Sequence, residues 1–166
     1  MNRGGLIAGL AGIALGLLSL ASDYVLPGLL TWLGNVAGTW LAVAFVVGAA
    51  PLAWPPRRAA VLGLVALVAA TVTYYVGTAY AWDFVRVARL LPGLLVWGTL
   101  AVLAGPALAA AGAVWRQRSF RDRTDWWLGA AAVAMLAAPL TAEGLFRVLS
   151  FIDGDVTTIG MTELLI

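Results

Sequence analysis

Five times along 166 residues the chain runs apolar for about the length that crosses a bilayer. Lipid offers no partner to an unpaired backbone N–H or C=O, so a spanning segment satisfies its own backbone as a helix of about 20 mainly apolar residues. The stretches are about 4–21, 37–54, 59–76, 90–115 and 126–149. None alternates apolar with polar residues as a membrane barrel strand would. The pattern predicts an all-α fold: a polytopic transmembrane helix bundle of about five spans, forming one integral membrane domain over 1–166. After Arg147 the sequence reads SFIDGDVTTIGMTELLI. Asp153-Gly154-Asp155 is a turn signal. The closing residues, 150–166, read as a short outer tail or as the start of a sixth helix, the chain then lacking the last span of a six-span protein.

Composition narrows the chemistry. Charged residues make up 11% of the chain, against about 25% in a soluble domain. Lys, His and Cys do not occur. That excludes a Schiff-base lysine, a thiol nucleophile, a disulfide, an iron–sulfur cluster, and the imidazole that most often serves as metal ligand or neutral-pH base. No motif for nucleotide, metal or phosphate is present, so no cofactor and no metal site are expected. The net charge of +2 comes from arginines at loops and helix ends and does not point to nucleic acid. Arginine as the sole basic residue, with abundant Ala, Gly and Leu, fits a GC-rich bacterial genome.

Arginine placement predicts orientation. Arg3, Arg57, Arg58, Arg116, Arg118, Arg121 and Arg123 fall on one side, seven of the ten. Arg86, Arg89 and Arg147 fall on the other, with Asp23, Asp83, Glu143, Asp153, Asp155 and Glu163. The positive-inside rule makes the first side cytoplasmic. The expectation is a multi-pass protein of the cell membrane, N-terminus inside and C-terminus outside. Trp54, Trp115, Trp126 and Trp127 mark the inner interface, and Trp32, Trp40, Tyr74, Tyr75, Tyr80 and Trp82 the outer one. The first span has a rival reading as a cleaved signal peptide, with Ser19-Leu20-Ala21 as its small-residue site. Against it stand the length of the apolar run and Gly5-xxx-Gly9 and Gly12-xxx-Gly16, which suit close helix packing.

A glutamate and an arginine close the fifth span, in PLTAEGLFR at 139–147. Trp127 and Glu143 are sixteen residues apart, roughly 24 Å along a helix, so Glu143 falls near the outer boundary. Glu143 and Arg147 share a helix face. One reading is a terminal ion pair. The other turns Glu143 inward to line an outward-open cavity, helped by a kink at Pro139, which cannot donate to the carbonyl of Met135. Asp23, Asn35, Tyr74, Tyr75 and Trp82 gather on the same side. With Glu143 and Arg147 they form the candidate ligand-binding set for a small polar or amphipathic solute, or an ordinary aromatic belt with loop charges. No catalytic residue is assigned. Pro106 interrupts the hydrogen bonding of the fourth span among Leu, Ala and Gly, which offer nothing to coordinate. The stretch RQRSFRDRTDWW, 116–127, is a topology determinant or a docking loop.

The segments SDYVLPGLLTWLGNVAGTWLAVAFVVGA and LTAEGLFRVL resemble a family of small membrane proteins of high-GC Gram-positive bacteria with no known activity. The resemblance covers most of the chain and implies a polytopic helical protein with a further C-terminal span. A more distant, architectural likeness is to the substrate-binding subunits of energy-coupling-factor transporters. It implies about six spans, an outward ligand site and a first helix rich in small residues, here Gly5, Gly9, Gly12 and Gly16. Three functions follow as expectations: a small-solute-binding or transport subunit; a non-catalytic structural or regulatory membrane protein acting through helix packing; and an intramembrane enzyme resting on Asp23 and Glu143. The expected partners are the lipid bilayer, a membrane protein or a second copy of the chain, and a small molecule, without nucleic acid.

Overall fold

Apolar runs without water can only close their hydrogen bonds internally, and helix is what they form. The computed structural model describes residues 3–25, 36–51, 55–81, 87–121 and 126–152. They build five helices: α1 (Arg3–Tyr24), α2 (Ala37–Ala49), α3 (Pro56–Ala81), α4 (Val87–Arg121) and α5 (Trp126–Ile152). No strand occurs among the described residues, and the all-α bundle expected from the sequence is the fold. Four helices are long and apolar enough to cross a membrane. The exception is α2, with 13 residues, about 20 Å at 1.5 Å per residue. Its stop has a local cause: Ala50 precedes Pro51 and adopts an extended backbone, ψ 146°, as a residue before proline prefers. α3 starts at Pro56, whose missing N–H would be unpaired in a first turn anyway. The Pro55 carbonyl accepts the N–H groups of Arg58 and Ala59, at 2.8 and 3.1 Å.

The packing is inverted relative to a soluble protein. Ala44, Ala59, Ala66, Ala70 and Ala109 are completely buried, whereas Leu10 and Leu17 are more than half exposed. Many large side chains face out and alanine and glycine fill much of the interior beside Leu15, Phe45, Leu67 and Leu108, the arrangement favoured where the surroundings are as apolar as leucine and close backbone contact supplies the attraction. α3 and α4 are the central pair. α1 packs chiefly on α3, α5 chiefly on α4, and α2 lies against α3, α4 and α5. On α1 the buried face is Gly4, Ala8, Gly12, Leu15, Gly16, Ser19 and Ser22. A Cβ on Gly12 or Gly16 would run into the backbone carbonyl of Ala66 or Ala70. Gly12-xxx-Gly16 is thus a packing motif in fact, while Gly9 has nothing within 4 Å. The α2–α4 crossing is as close: a Cβ on Gly48 would meet the Ala109 backbone, and one on Gly112 the Phe45 carbonyl.

Hydroxyls are handled within the helices. Ser22, Thr71, Thr78, Thr99 and Thr141 each donate to the carbonyl four residues earlier, on Leu18, Leu67, Tyr74, Leu95 and Ala137. This back-bonding removes the cost of a hydroxyl where water is scarce.

Candidate functional site

α2 cannot finish its own ends. Its N-cap is Val36, which has no side-chain oxygen and makes no cap bond. The leading N–H groups of a helix have no intrahelical acceptor, and leaving them bare in an apolar medium is costly. Glu143 of α5 supplies the acceptors. Its Oε1 accepts the Ala37 N–H at 3.3 Å and its Oε2 accepts the Gly38 N–H at 3.0 Å. The missing side chain of Gly38 makes room, since a Cβ there would collide with Leu140 and come to 3.6 Å from Glu143 Oε2. At the other end Arg116 of α4 donates from Nη1 to the Ala49 carbonyl at 3.1 Å. A carboxylate thus sits at the positive end of the α2 dipole and a guanidinium at its negative end, the favourable sense at both.

The second group of polar residues lies between α1 and α3. The Tyr74 hydroxyl donates to Asp23 Oδ2 at 2.7 Å, a short bond of the kind made to a charged acceptor. Tyr74 and Tyr75 meet edge to face, centroids 5.1 Å apart. Both are buried, in a cluster with Ala79 and Leu90 against which Leu20, Trp40 and Trp97 pack. Trp40 and Trp97 lie 6.3 Å apart. Trp40 stands on the first turn of α2, just beyond the Gly38 N–H that Glu143 accepts. α2 therefore connects the glutamate to the aromatic cluster.

Of the candidate residues, the structure joins Asp23, Tyr74 and Tyr75 directly, and places Glu143 against α2 instead. Asn35 and Trp82 lie outside the described residues. Arg147 falls one turn beyond Glu143 in α5, and its side chain is likewise outside them. Three participants were missed from the sequence: Gly38 and Ala37 as donors, and Arg116 as the C-terminal cap. Two signals bore on them. One is an apolar run stopped by Pro51 after a helix too short to span. The other is the absence of Ser, Thr, Asp or Asn at position 36.

Inverted packing, four helices of spanning length and charges spent on helix ends define the class: this is a multi-pass helical membrane protein. No curated protein and no solved structure matches it. A family model does, over residues 2–165, and the chain belongs to that family, DUF6518, a family of unknown function.

Proposed function

We propose that this protein is a non-catalytic membrane subunit that acts through helix packing, its partner being another membrane protein or a second copy of itself. The observation that carries this reading is the engagement of Glu143. The carboxylate best situated for a solute has each oxygen on a backbone N–H of α2, and Arg116 serves the same helix from the other end. The exposed face of α5, with Trp127, Met135, Leu145 and Phe146 turned outward, supports a surface for lipid or for a partner helix. In the cell membrane, the arginine distribution supports an N-terminus inside and a C-terminus outside.

A second reading, a small-solute-binding or transport subunit, draws on Asp23. This carboxylate is exposed at the end of α1 and oriented by the Tyr74 hydroxyl, so an outward site would be centred there. Native mass spectrometry of protein purified gently from its own host separates the two. A co-purifying protein or dimer that survives Asp23→Asn supports the packing subunit. A small molecule that is bound by the wild type and lost with Asp23→Asn overturns it in favour of solute binding.

A further inference from the structure

α1 and α3 start side by side. A Cβ on Gly12 of α1 would meet the Ala66 carbonyl, and one on Gly16 the Ala70 carbonyl. Each step of four along α1 thus matches a step of four along α3, and the two helices run parallel. Ala8 of α1 and Ala59 of α3 share one buried cluster with Ala109 and Ala113 of α4, which fixes what else stands at that end. Arg57 and Arg58 come just before Ala59, Arg3 five residues before Ala8, and Arg116 three residues after Ala113. Ala132 of α5 lies in a cluster with Ala111, against which Trp115 packs. The first turn of α5, with Trp126 and Trp127, is therefore at the same end.

The described side chains there carry charge of one sign. Arg3, Arg57 and Arg58 are exposed, and neither first turn holds an acidic residue. The two carboxylates among the described residues, Asp23 and Glu143, stand at the opposite end, beside Tyr74 and at the start of α2. Asp122 and Asp125 lie outside the described residues. A cation in the first turn works against the positive end of the helix dipole, and here two such ends are neighbours. Depth decides which anion is within reach. The apolar run begins directly after Arg3 in α1 and directly after Arg58 in α3. Trp126 and Trp127 are 71% and 57% exposed, and tryptophan settles at headgroup level. The guanidinium groups are thus held where hydrocarbon gives way to lipid phosphate. A soluble acidic partner would have to enter the headgroup layer to meet them.

We propose that this end of the bundle is a docking surface for anionic phospholipid, with Arg57 and Arg58 taking the headgroup phosphates and Arg3 and Arg116 completing the positive rim. Arg116 has its place fixed, since its Nη1 donates to the Ala49 carbonyl at 3.1 Å, and a guanidinium carries more donors than that one bond uses. This role is separate from setting orientation. An orientation signal acts while the chain inserts. The docking surface acts in the folded bundle, where bound lipid offsets the repulsion between the adjacent N-termini of α1 and α3.

Native mass spectrometry of the full-length protein, released from nanodiscs of equal phosphatidylcholine and phosphatidylglycerol, tests this. The wild type is expected to retain phosphatidylglycerol in preference. An arginine near an anionic surface changes binding about fivefold, so Arg57→Gln with Arg58→Gln is expected to cut the preference about ten- to twentyfold. Arg57→Lys with Arg58→Lys keeps the charge and should keep most of the preference. Arg89→Gln, an exposed arginine on the first turn of α4 at the opposite end, should leave it unchanged. Equal retention of the two lipids by the wild type would overturn the proposal and leave these arginines as orientation signals alone. A loss in Arg89→Gln as large as in the Arg57 and Arg58 glutamine pair would overturn it too, because net charge and not this surface would then select the lipid.

Discussion

Replacing Glu143 tests whether α2 depends on a cap delivered from another helix. Glu143→Gln keeps the shape and one carbonyl oxygen but removes the charge and the second acceptor. Losing the charge at a partly buried helix N-terminus costs about 1 kcal/mol. The weaker of the two bonds, 3.3 Å to Ala37, adds about 0.5–1 kcal/mol. The sum, about 1.5–2 kcal/mol, raises opening of the first turn of α2 roughly ten- to thirtyfold, at 1.4 kcal/mol per factor of ten. Glu143→Ala removes both acceptors and the charge and is expected to cost about 3 kcal/mol, less where water takes their place. Amide exchange in nanodiscs reads this directly, under conditions where the rate follows the opening equilibrium. An internal control is built in: the Thr39 N–H already donates to the Val36 carbonyl at 3.0 Å, so it should respond less than Ala37 and Gly38. Wild-type exchange at Ala37 and Gly38 in both variants would refute the capping argument. A response confined to α5, with α2 unchanged, would refute it as well.

Three further outcomes are expected. Arg116→Gln removes the charged donor to the Ala49 carbonyl and should cost about 1 kcal/mol, seen as faster exchange in the last turn of α2 and not in its first. Gly48→Ala forces a methyl group into the Ala109 backbone and should lower stability by about 1–3 kcal/mol in a denaturant titration in bicelles; Gly9→Ala, with open space around it, should be neutral or stabilising by up to about 1 kcal/mol. Tyr74→Phe deletes the 2.7 Å bond to Asp23 and should destabilise by about 1 kcal/mol in the same titration, whereas Asp23→Asn, which keeps an acceptor, should cost less.

The helical nature of the chain was legible because spanning length is written in runs of apolar residues. What the sequence concealed was phase. On α1, lipid and protein both present apolar surfaces, so hydrophobicity cannot say which stripe faces inward. Gly5-xxx-Gly9 and Gly12-xxx-Gly16 looked equivalent, yet Gly12 and Gly16 lie against the α3 backbone while a Cβ on Gly9 would meet nothing within 4 Å. The end of α2 was legible in Pro51. The C-terminal end of α4 was not: the arginines from 116 to 121 read as loop because they are charged, although arginine is a good helix former and α4 runs to Arg121. The pairing of Asp23 with Tyr74 lay within reach, both residues falling near the same end of neighbouring spans. The partners of Glu143 did not. Its bonds to Ala37 and Gly38 cross more than a hundred residues of chain, while the local pattern offered Arg147 one turn away.

A short helix inside a membrane bundle changes what the charges around it mean. A helix of spanning length carries its unpaired N–H and C=O groups out to water and headgroups. One of about 20 Å does not reach across on its own, and an end group that stops short of water needs a partner from the protein. In α2 the two partners come from different helices, Glu143 from α5 and Arg116 from α4, so α2 stays satisfied only while α4 and α5 hold their relative positions. Sliding α5 against α4 has to break one cap or drag α2 along. α1 meets α3 through glycine and alanine backbone contacts and through the Tyr74–Asp23 hydrogen bond. The bundle therefore divides into a charge-locked group of α2, α4 and α5 and a close-packed pair of α1 and α3, joined along the α3–α4 and α2–α3 contacts. The aromatic cluster of Tyr74, Tyr75, Trp40 and Trp97 draws residues from both groups. The two groups also meet at the close Gly63–Gly105 backbone approach, so a motion between them would be felt both there and in the aromatic cluster.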